Sequence, residues 1–148
     1  MEDEPLLAME PIDVAISMDV SGSIMDDMLR DFLSEVKGIM DQYTDFKIHL
    51  FCFDTDVYNP QSFTQYNMDE FLEYEIMGGG GTDFDCVFDY MKEEGIQPKK
   101  HIMLTDGYPY GSWGDENYCD TLFIVHGGYN GNIPEAPFGI TVPYTRND

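Results

Sequence analysis

Basic residues are scarce in this chain of 148 residues, which has 7 Lys plus Arg against 29 Asp plus Glu and a formal net charge of -22. Such an acidic surface repels the phosphate backbone of a nucleic acid, because nucleic-acid binding depends on neutralisation by Lys and Arg. The same excess of carboxylates attracts cations and basic proteins. The composition therefore argues against a nucleic-acid partner and favours a protein partner that is basic overall.

Long apolar runs are also absent from the sequence. No segment approaches the roughly 18 apolar residues of a membrane-spanning helix. The chain starts with MEDEPLLAMEP, which is acidic where a signal peptide is basic. We therefore expect a cytoplasmic protein that has no membrane partner.

Sequence motifs of familiar catalytic sites are missing as well. The nucleophile elbow GxSxG and the zinc motif HExxH do not occur, and no Lys follows the glycine run as a phosphate-binding loop requires. The histidines each stand alone in or beside a strand pattern, which favours structural roles over zinc ligation; they are His49, His101 and His126. No catalytic residue is predicted in this chain.

Cysteine is too sparse and too scattered to form a thiolate metal cluster. The three cysteines are Cys52, Cys86 and Cys119, and no CxxC pair occurs among them. Cys52 and Cys86 lie within apolar strand or helix patterns, so we expect them to be buried thiols.

The residues that are abundant predict one globular domain, since 43% of the chain is apolar and 14% is aromatic. Residues 1–11 contain two prolines and four acidic groups, which is typical of a tether or linker. The domain itself is expected to span residues 12–148.

The apolar patterns predict strands that alternate with helices along the first part of the chain. Strands are predicted at 12–18, 46–53, 57–64, 100–105, 121–126 and 138–144, and helices at 24–41, weakly at 67–75, and from the glycine run to Gly95 with Thr82 as a possible N-cap. The short acidic turn at 54–56 favours an antiparallel hairpin, and Pro60 places its second strand at a sheet edge. The prediction is an α/β fold with an open, mostly parallel sheet, one antiparallel edge strand and few helices in the second half.

Polar clusters follow two of the predicted strands and precede one helix. They are Asp19-Val20-Ser21-Gly22-Ser23, Gly81-Thr82-Asp83 and Thr105-Asp106-Gly107. Ligands of open α/β sheets bind at the carboxyl ends of the strands, so these clusters are expected to meet there. They offer only oxygen ligands, which suit a hard cation such as Mg²⁺, with Mn²⁺ and Ca²⁺ left open.

The spacing within these clusters has a physical reason. In D-x-S-x-S, alternate residues project to one side, and Gly22 permits the tight bend that lets the three side chains converge. The four glycines at 78–81 suggest that the backbone before Thr82 passes very close to another group, of which a metal shell is one candidate and a flexible loop the alternative.

The motifs DVSGS, GGGGTD and LTDG together resemble the metal-ion-dependent adhesion site of von Willebrand factor A (VWA) domains. With FCFDTDVY and PFGITVPY, the chain is similar over residues 12–144 to the C-terminal VWA-like domain of prokaryotic and phage proteins classed as metallopeptidases. The resemblance implies that the metal ligands are Asp19, Ser21, Ser23, Thr82 and Asp106. Supporting positions are Gly22, Gly81, Gly107 and Asp83, of which Asp83 is explained first as a helix-start acid.

The function that these features imply is a divalent-metal-dependent interaction module that binds an Asp or Glu carboxylate of a partner. The alternative is a regulatory or substrate-positioning domain of a metallopeptidase whose catalytic half lies outside this chain. The identity of the partner and the oligomeric state are left open.

The loops 107–120 and 127–137 stand where fuller VWA domains have helices, and they are rich in aromatic residues. These residues are Tyr108, Tyr110, Trp113, Tyr118 and Tyr129. We expect them either to fold over a thinly covered face of the sheet or to dock another domain.

Overall fold

The structure, a computed structural model, describes residues 12–21, 26–126 and 132–144. Its strands are β1 (Ile12–Asp19), β2 (Phe46–Phe53), β3 (Val57–Thr64), β4 (Lys100–Thr105), β5 (Thr121–Val125) and β6 (Ile140–Pro143). Its helices are α1 (Asp26–Met40), α2 (Asp85–Glu94) and a 3-10 helix at Met68–Glu73. The predicted tether at 1–11 and the predicted start of α1 at residue 24 lie outside the described residues.

The six strands form one sheet in the order β3-β2-β1-β4-β5-β6. All neighbouring strands are parallel except β2 and β3, which form the predicted antiparallel hairpin with β3 at the edge. The structure confirms the α/β fold class. Because β1 lies between β2 and β4, the polar residues that follow it are flanked by the ends of two other strands.

The two faces of the sheet are covered differently. On one face, α1 buries Leu29, Phe32 and Leu33 with the help of the 3-10 helix, as its apolar stripe predicts. On the other, α2 buries Val87, Phe88 and Met91. Gly95 ends α2 in a left-handed conformation at φ 69, which glycine adopts without strain.

The start of α2 differs from the prediction. Phe84, not Thr82, occupies the N-cap position, and the Phe84 side chain forms no capping hydrogen bond. The backbone N–H of Asp83 donates instead to the carbonyl of Asp54 at 2.8 Å, so the chain is still held by the β2–β3 turn when it passes Thr82. The helix can therefore begin only after this contact.

The aromatic residues of the loops differ in their surroundings. Trp113 packs edge-on against Phe84 and Phe123, and Tyr118 packs on the same face of the sheet. Tyr108 and Tyr110 are instead exposed. Within the described parts of 107–120 and 127–137 there is no helix, and Tyr129 lies outside the described residues.

The cysteines are free thiols that differ in burial. Cys52 is buried as predicted, whereas Cys86 and Cys119 are half-buried, so the prediction for Cys86 was only partly right. Among the described residues, none of the helices combines the length and apolar character needed to cross a membrane.

Candidate metal centre

The end of β1 is fixed to the end of β4 through the carboxylate of Asp19. This fully buried carboxylate accepts the backbone N–H of Ser21 at 3.0 Å on Oδ1 and the Thr105 hydroxyl at 2.7 Å on Oδ2. Burial raises the pKa of Asp19 above its usual value, and the charge of Asp106 adds to this, although the hydrogen bonds from Ser21 and Thr105 oppose it. Asp19 thus orients the residues around it, and positive charge nearby would favour its ionised form.

Ser21 is one of two described residues at this edge with an unsatisfied buried side-chain atom, the other being His126 directly after β5. The Ser21 Oγ is buried near the Asp19 carboxylate but has no hydrogen-bond partner of acceptable geometry among the described residues. It lies beside a cleft of about 220 Å³ that is also lined by Thr82, Asp106 and the glycine run. A buried hydroxyl without a partner costs about 1–3 kcal/mol, so a ligand in this cleft would remove a real penalty.

The β4 side of the cleft is shaped by a tight turn. Asp106 Oδ1 accepts the backbone N–H of Tyr108 at 3.2 Å, and Thr105 Oγ1 accepts that of Gly107 at 3.0 Å. Gly107 is buried at φ 85, and a Cβ there would lie 3.1 Å from the side chain of Pro134. This position therefore favours glycine because of its backbone conformation and packing, and its role as a supporting residue of a metal site stays a prediction.

The glycine run does pass very close to another group, but that group belongs to the protein. Gly78 has φ 120, and a Cβ there would lie 2.4 Å from the Val20 side chain. Gly79 and Gly80 donate their backbone N–H groups to Asp54 Oδ2 at 3.2 and 2.9 Å. The run is therefore a packed and hydrogen-bonded segment that leads to Thr82.

Asp83 follows Thr82 but behaves as a helix-start residue. Its side chain is exposed and accepts the backbone N–H of Asp85 at 3.0 Å, which satisfies an amide in the first turn of α2. Asp83 does not line the cleft that contains Ser21 and Thr82.

The histidines differ more than predicted. His101 is fully buried with both ring nitrogens partnered, by Ser17 at 2.8 Å and Thr121 at 3.3 Å, as expected of a structural histidine. His49 pairs with Asp13 at 3.3 Å. His126 is buried, and its Nε2 has no partner within the described part of the chain.

The structure thus brings together Asp19, Ser21, Thr82 and Asp106 with Gly81 at one edge of the sheet. Ser23 and Gly22 lie outside the described residues. The predicted ligands and supporting residues left out Asp54, Tyr108 and Tyr110, of which the last two line the cleft, and gave Thr105 no role although it belongs to one of the polar clusters. Thr105 and Asp54 could have been suspected because both stand at strand ends, as Asp19 does.

The donor set fits a hard cation better than a transition metal. Among the described residues, no three His, Cys, Asp or Glu side chains come together as a metal-binding group. The proposed set does not need such a group, because three of its five residues carry hydroxyls, including Ser23 outside the described residues, and Asp19 and Asp106 supply its only carboxylates. The unsatisfied Ser21 hydroxyl beside the cleft is the observation that matches an oxygen-ligated cation.

Comparison with known proteins identifies relatives of this fold. The structure is similar to a conserved hypothetical protein, BatB, from Bacteroides thetaiotaomicron, with TM-score 0.64, 14% identity, and 92% of this chain and 91% of that chain covered. It is also similar to an aerotolerance-related membrane protein from Bacteroides fragilis, with TM-score 0.54, 16% identity, and 77% and 67% covered. At these identities the similarity shows the fold alone.

Sequence comparison adds one relative and the family. A protein of Thermotoga maritima, described only as uncharacterized, is 30% identical over 95 residues, which is 64% of this chain but 23% of that protein. The matched segment therefore spans less than a quarter of the relative's length. The model of the VWA-like domain (DUF2201) matches residues 14–143, and this chain belongs to that VWA-like domain family.

Proposed function

We propose that this domain binds one divalent cation, Mg²⁺ by preference, in the cleft beside Ser21 and uses it to bind a carboxylate of a protein partner. The observation that carries the proposal is the buried, unpartnered Ser21 hydroxyl next to Thr82 and Asp106. Ser21, Thr82 and Asp106 would hold the cation with Asp19, and Ser23 is included from the resemblance. Mn²⁺ and Ca²⁺ have the same preference for oxygen ligands.

The division between carboxylates and hydroxyls decides what the site does. Hydroxyl ligands do not reduce the charge of a bound cation, and the carboxylates of Asp19 and Asp106 also accept hydrogen bonds from the protein, so the cation would keep part of its positive charge for an incoming Asp or Glu. Asp19 holds Ser21 and Thr105 in place through its two oxygens and is buried away from the partner. Among the described residues that line the cleft there is no His, Cys or Lys, and the one carboxylate, Asp106, is assigned to the cation, so the arrangement favours recognition over catalysis.

The surroundings of the cleft indicate how the partner is contacted. Tyr108 and Tyr110 line the cleft and are 54% and 89% exposed, and tyrosine is enriched at protein interfaces. The net charge of -22 favours a partner that is basic overall and presents one acidic residue to the cation.

A peptide library displayed on phage tests this function directly. Selection on the immobilised protein in millimolar Mg²⁺, with elution by EDTA, should recover peptides that share an Asp or Glu. Changing that residue to Asn or Gln should abolish binding, and Thr82→Ala should not retain the peptides. Recovery of the same peptides in EDTA, or by the Thr82→Ala protein, would refute a metal-dependent carboxylate site.

The second candidate function is a regulatory or substrate-positioning role within a longer polypeptide. It is favoured by the Thermotoga maritima relative, of which the matched segment is only 23%. The resemblance to proteins classed as metallopeptidases suggests that the catalytic half would lie upstream. The isolated chain should show no peptidase activity with or without Mg²⁺, and an HExxH-bearing segment should precede it in the same reading frame.

A further inference from the structure

Asp54, the first residue after β2, forms hydrogen bonds with two separate segments of backbone. Its Oδ1 accepts the N–H groups of Thr55 and Asp56, the latter at 3.1 Å. Its Oδ2 accepts those of Gly79 and Gly80 at 3.2 and 2.9 Å. One side chain therefore joins the β2–β3 turn to the glycine run, although 25 residues separate Asp54 from Gly79 in the chain.

The main chain of Asp54 extends the same connection. Its carbonyl accepts the N–H of Asp83 at 2.8 Å, so Asp54 binds residues on both sides of Thr82. The segment between Gly79 and Asp83 is thereby held at three amides, and Thr82 is carried on it into the cleft.

Only an ionised carboxylate can accept hydrogen bonds from all four of these backbone amides with its two oxygens. All are N–H donors, and an amide side chain would direct its own N–H₂ group at two of them. Burial raises the pKa of Asp54, but the hydrogen bonds from the Gly80, Asp56, Thr55 and Gly79 amides outweigh it, and the pKa is lowered overall. Asp54 is 4% exposed, so these amides replace the water that would otherwise solvate its charge.

The glycines are fitted to this carboxylate. A Cβ at Gly80 would lie 3.0 Å from Asp54 Oδ2, and Gly79 has φ 133, which side-chain-bearing residues rarely adopt. The run thus allows its backbone to approach Asp54 closely enough to donate two hydrogen bonds.

We propose that Asp54 is the positioning residue of the candidate metal centre, which sets the affinity for the cation by holding Thr82 in the cleft. This inference rests on the proposed metal-binding function. Asp54 does not line the cleft itself, so it acts through the backbone of 79–83. Together, Asp54 and the glycine run position Thr82 in the cleft.

Isothermal titration of the protein with MgCl₂ tests the inference, with Asp54→Asn as the main variant. We expect the Kd for Mg²⁺ to rise at least tenfold, because two amides lose their acceptor and Thr82 is no longer fixed. Asp56→Asn removes the same charge at an exposed neighbour and should stay within threefold of the wild type. Amide exchange of Gly79 and Gly80 should accelerate only in Asp54→Asn.

A general loss of stability is separated by a second control. Ser17→Ala weakens the core away from the cleft, and it should lower stability without changing the Kd for Mg²⁺. If Asp54→Asn does not fold, Gly80→Ala disturbs the same contact and should also weaken Mg²⁺ binding, whereas Gly38→Ala, with open space around it, should not.

The possible results are distinct. An Asp54→Asn or Gly80→Ala protein that binds Mg²⁺ as tightly as the wild type would overturn the positioning role and leave the proposed function intact. A wild-type protein that does not bind Mg²⁺ would overturn the proposed function, and this inference with it.

Discussion

Ser17 and Ser21 are two buried serines of the same segment, and their surroundings are opposite. The Ser17 hydroxyl lies 2.8 Å from His101 Nε2, and the other ring nitrogen of His101 is partnered by Thr121. The Ser21 hydroxyl, four residues later, has no partner among the described residues and borders a cleft. A closed polar network in the core contributes to structure, whereas an open hydroxyl at a strand end indicates a place for a ligand.

The largest expected effect comes from removing each hydroxyl in turn. Ser17→Ala should destabilise the protein by about 1–3 kcal/mol, because His101 loses a buried hydrogen-bond partner. The variant should still be stabilised by Mg²⁺ as much as the wild type is. Ser21→Ala should leave the stability in EDTA unchanged or raise it, since it removes a buried hydroxyl that is already unsatisfied. It should lose the gain of about 2.7 kcal/mol that Mg²⁺ at 100 times its Kd gives to the wild type.

Urea unfolding of the three proteins, with Mg²⁺ and with EDTA, measures both quantities. If Mg²⁺ stabilised Ser21→Ala as much as the wild type, the difference between the two serines would not reflect cation binding.

The second effect concerns the closed network and is seen in the pH dependence of stability. Burial lowers the pKa of His101 to about 3, whereas an unfolded histidine titrates near pH 6.5. Below pH 6.5 the unfolded chain therefore binds a proton that the folded protein excludes, so this contribution to stability falls with pH. The loss is about 1.4 kcal/mol per pH unit between 6.5 and 3, or about 2 kcal/mol at pH 5.

His101→Gln isolates this loss from the titration of the many carboxylates. The variant should be less stable than the wild type at pH 7.5, and the gap should narrow by about 2 kcal/mol at pH 5. A gap that stays constant in urea unfolding at both pH values would show that His101 accepts a proton in the folded protein.

The smallest effect concerns the open cleft. Tyr110 is 89% exposed and has φ 58, a left-handed conformation that costs a non-glycine residue about 1–2 kcal/mol. Tyr110→Gly should therefore leave stability unchanged or raise it by up to about 1 kcal/mol, yet weaken binding of the selected carboxylate peptides.

The control for Tyr110 is Tyr66, which is 87% exposed but lies in the turn after β3, away from the cleft. Tyr66→Gly should not affect peptide binding, and its φ is not in the left-handed region, so no gain in stability is expected. Thermal unfolding and peptide titration of both variants compare the two positions. Equal peptide affinity for both variants would remove Tyr110 from the proposed contact surface.

Much of the fold was predictable because its elements have local signals. The bounds of β2, β3 and β4 agree with the apolar runs that predict them, and Pro60 placed β3 at the edge. The N-cap at Thr82 was wrong because the competing contact, from Asp83 to the carbonyl of Asp54, joins residues far apart in sequence.

The candidate site was predictable to a lesser extent. Strand-end position indicated Asp19, Ser21 and Asp106, and the ligand set as a whole stays a prediction. Asp54 was assigned only to a hairpin turn, because nothing in the spacing shows that the amides of the glycine run point at its carboxylate.

By itself, the sequence determined an α/β sheet with oxygen-bearing residues at its strand ends, since periodicity and turn residues act over a few positions. Tertiary structure decided which polar groups are satisfied. The Ser17 hydroxyl is hydrogen-bonded to His101, 84 residues away, whereas the Ser21 hydroxyl has no partner among the described residues. The register of the strands, rather than the neighbouring residues in the chain, decides which partner a buried hydroxyl meets.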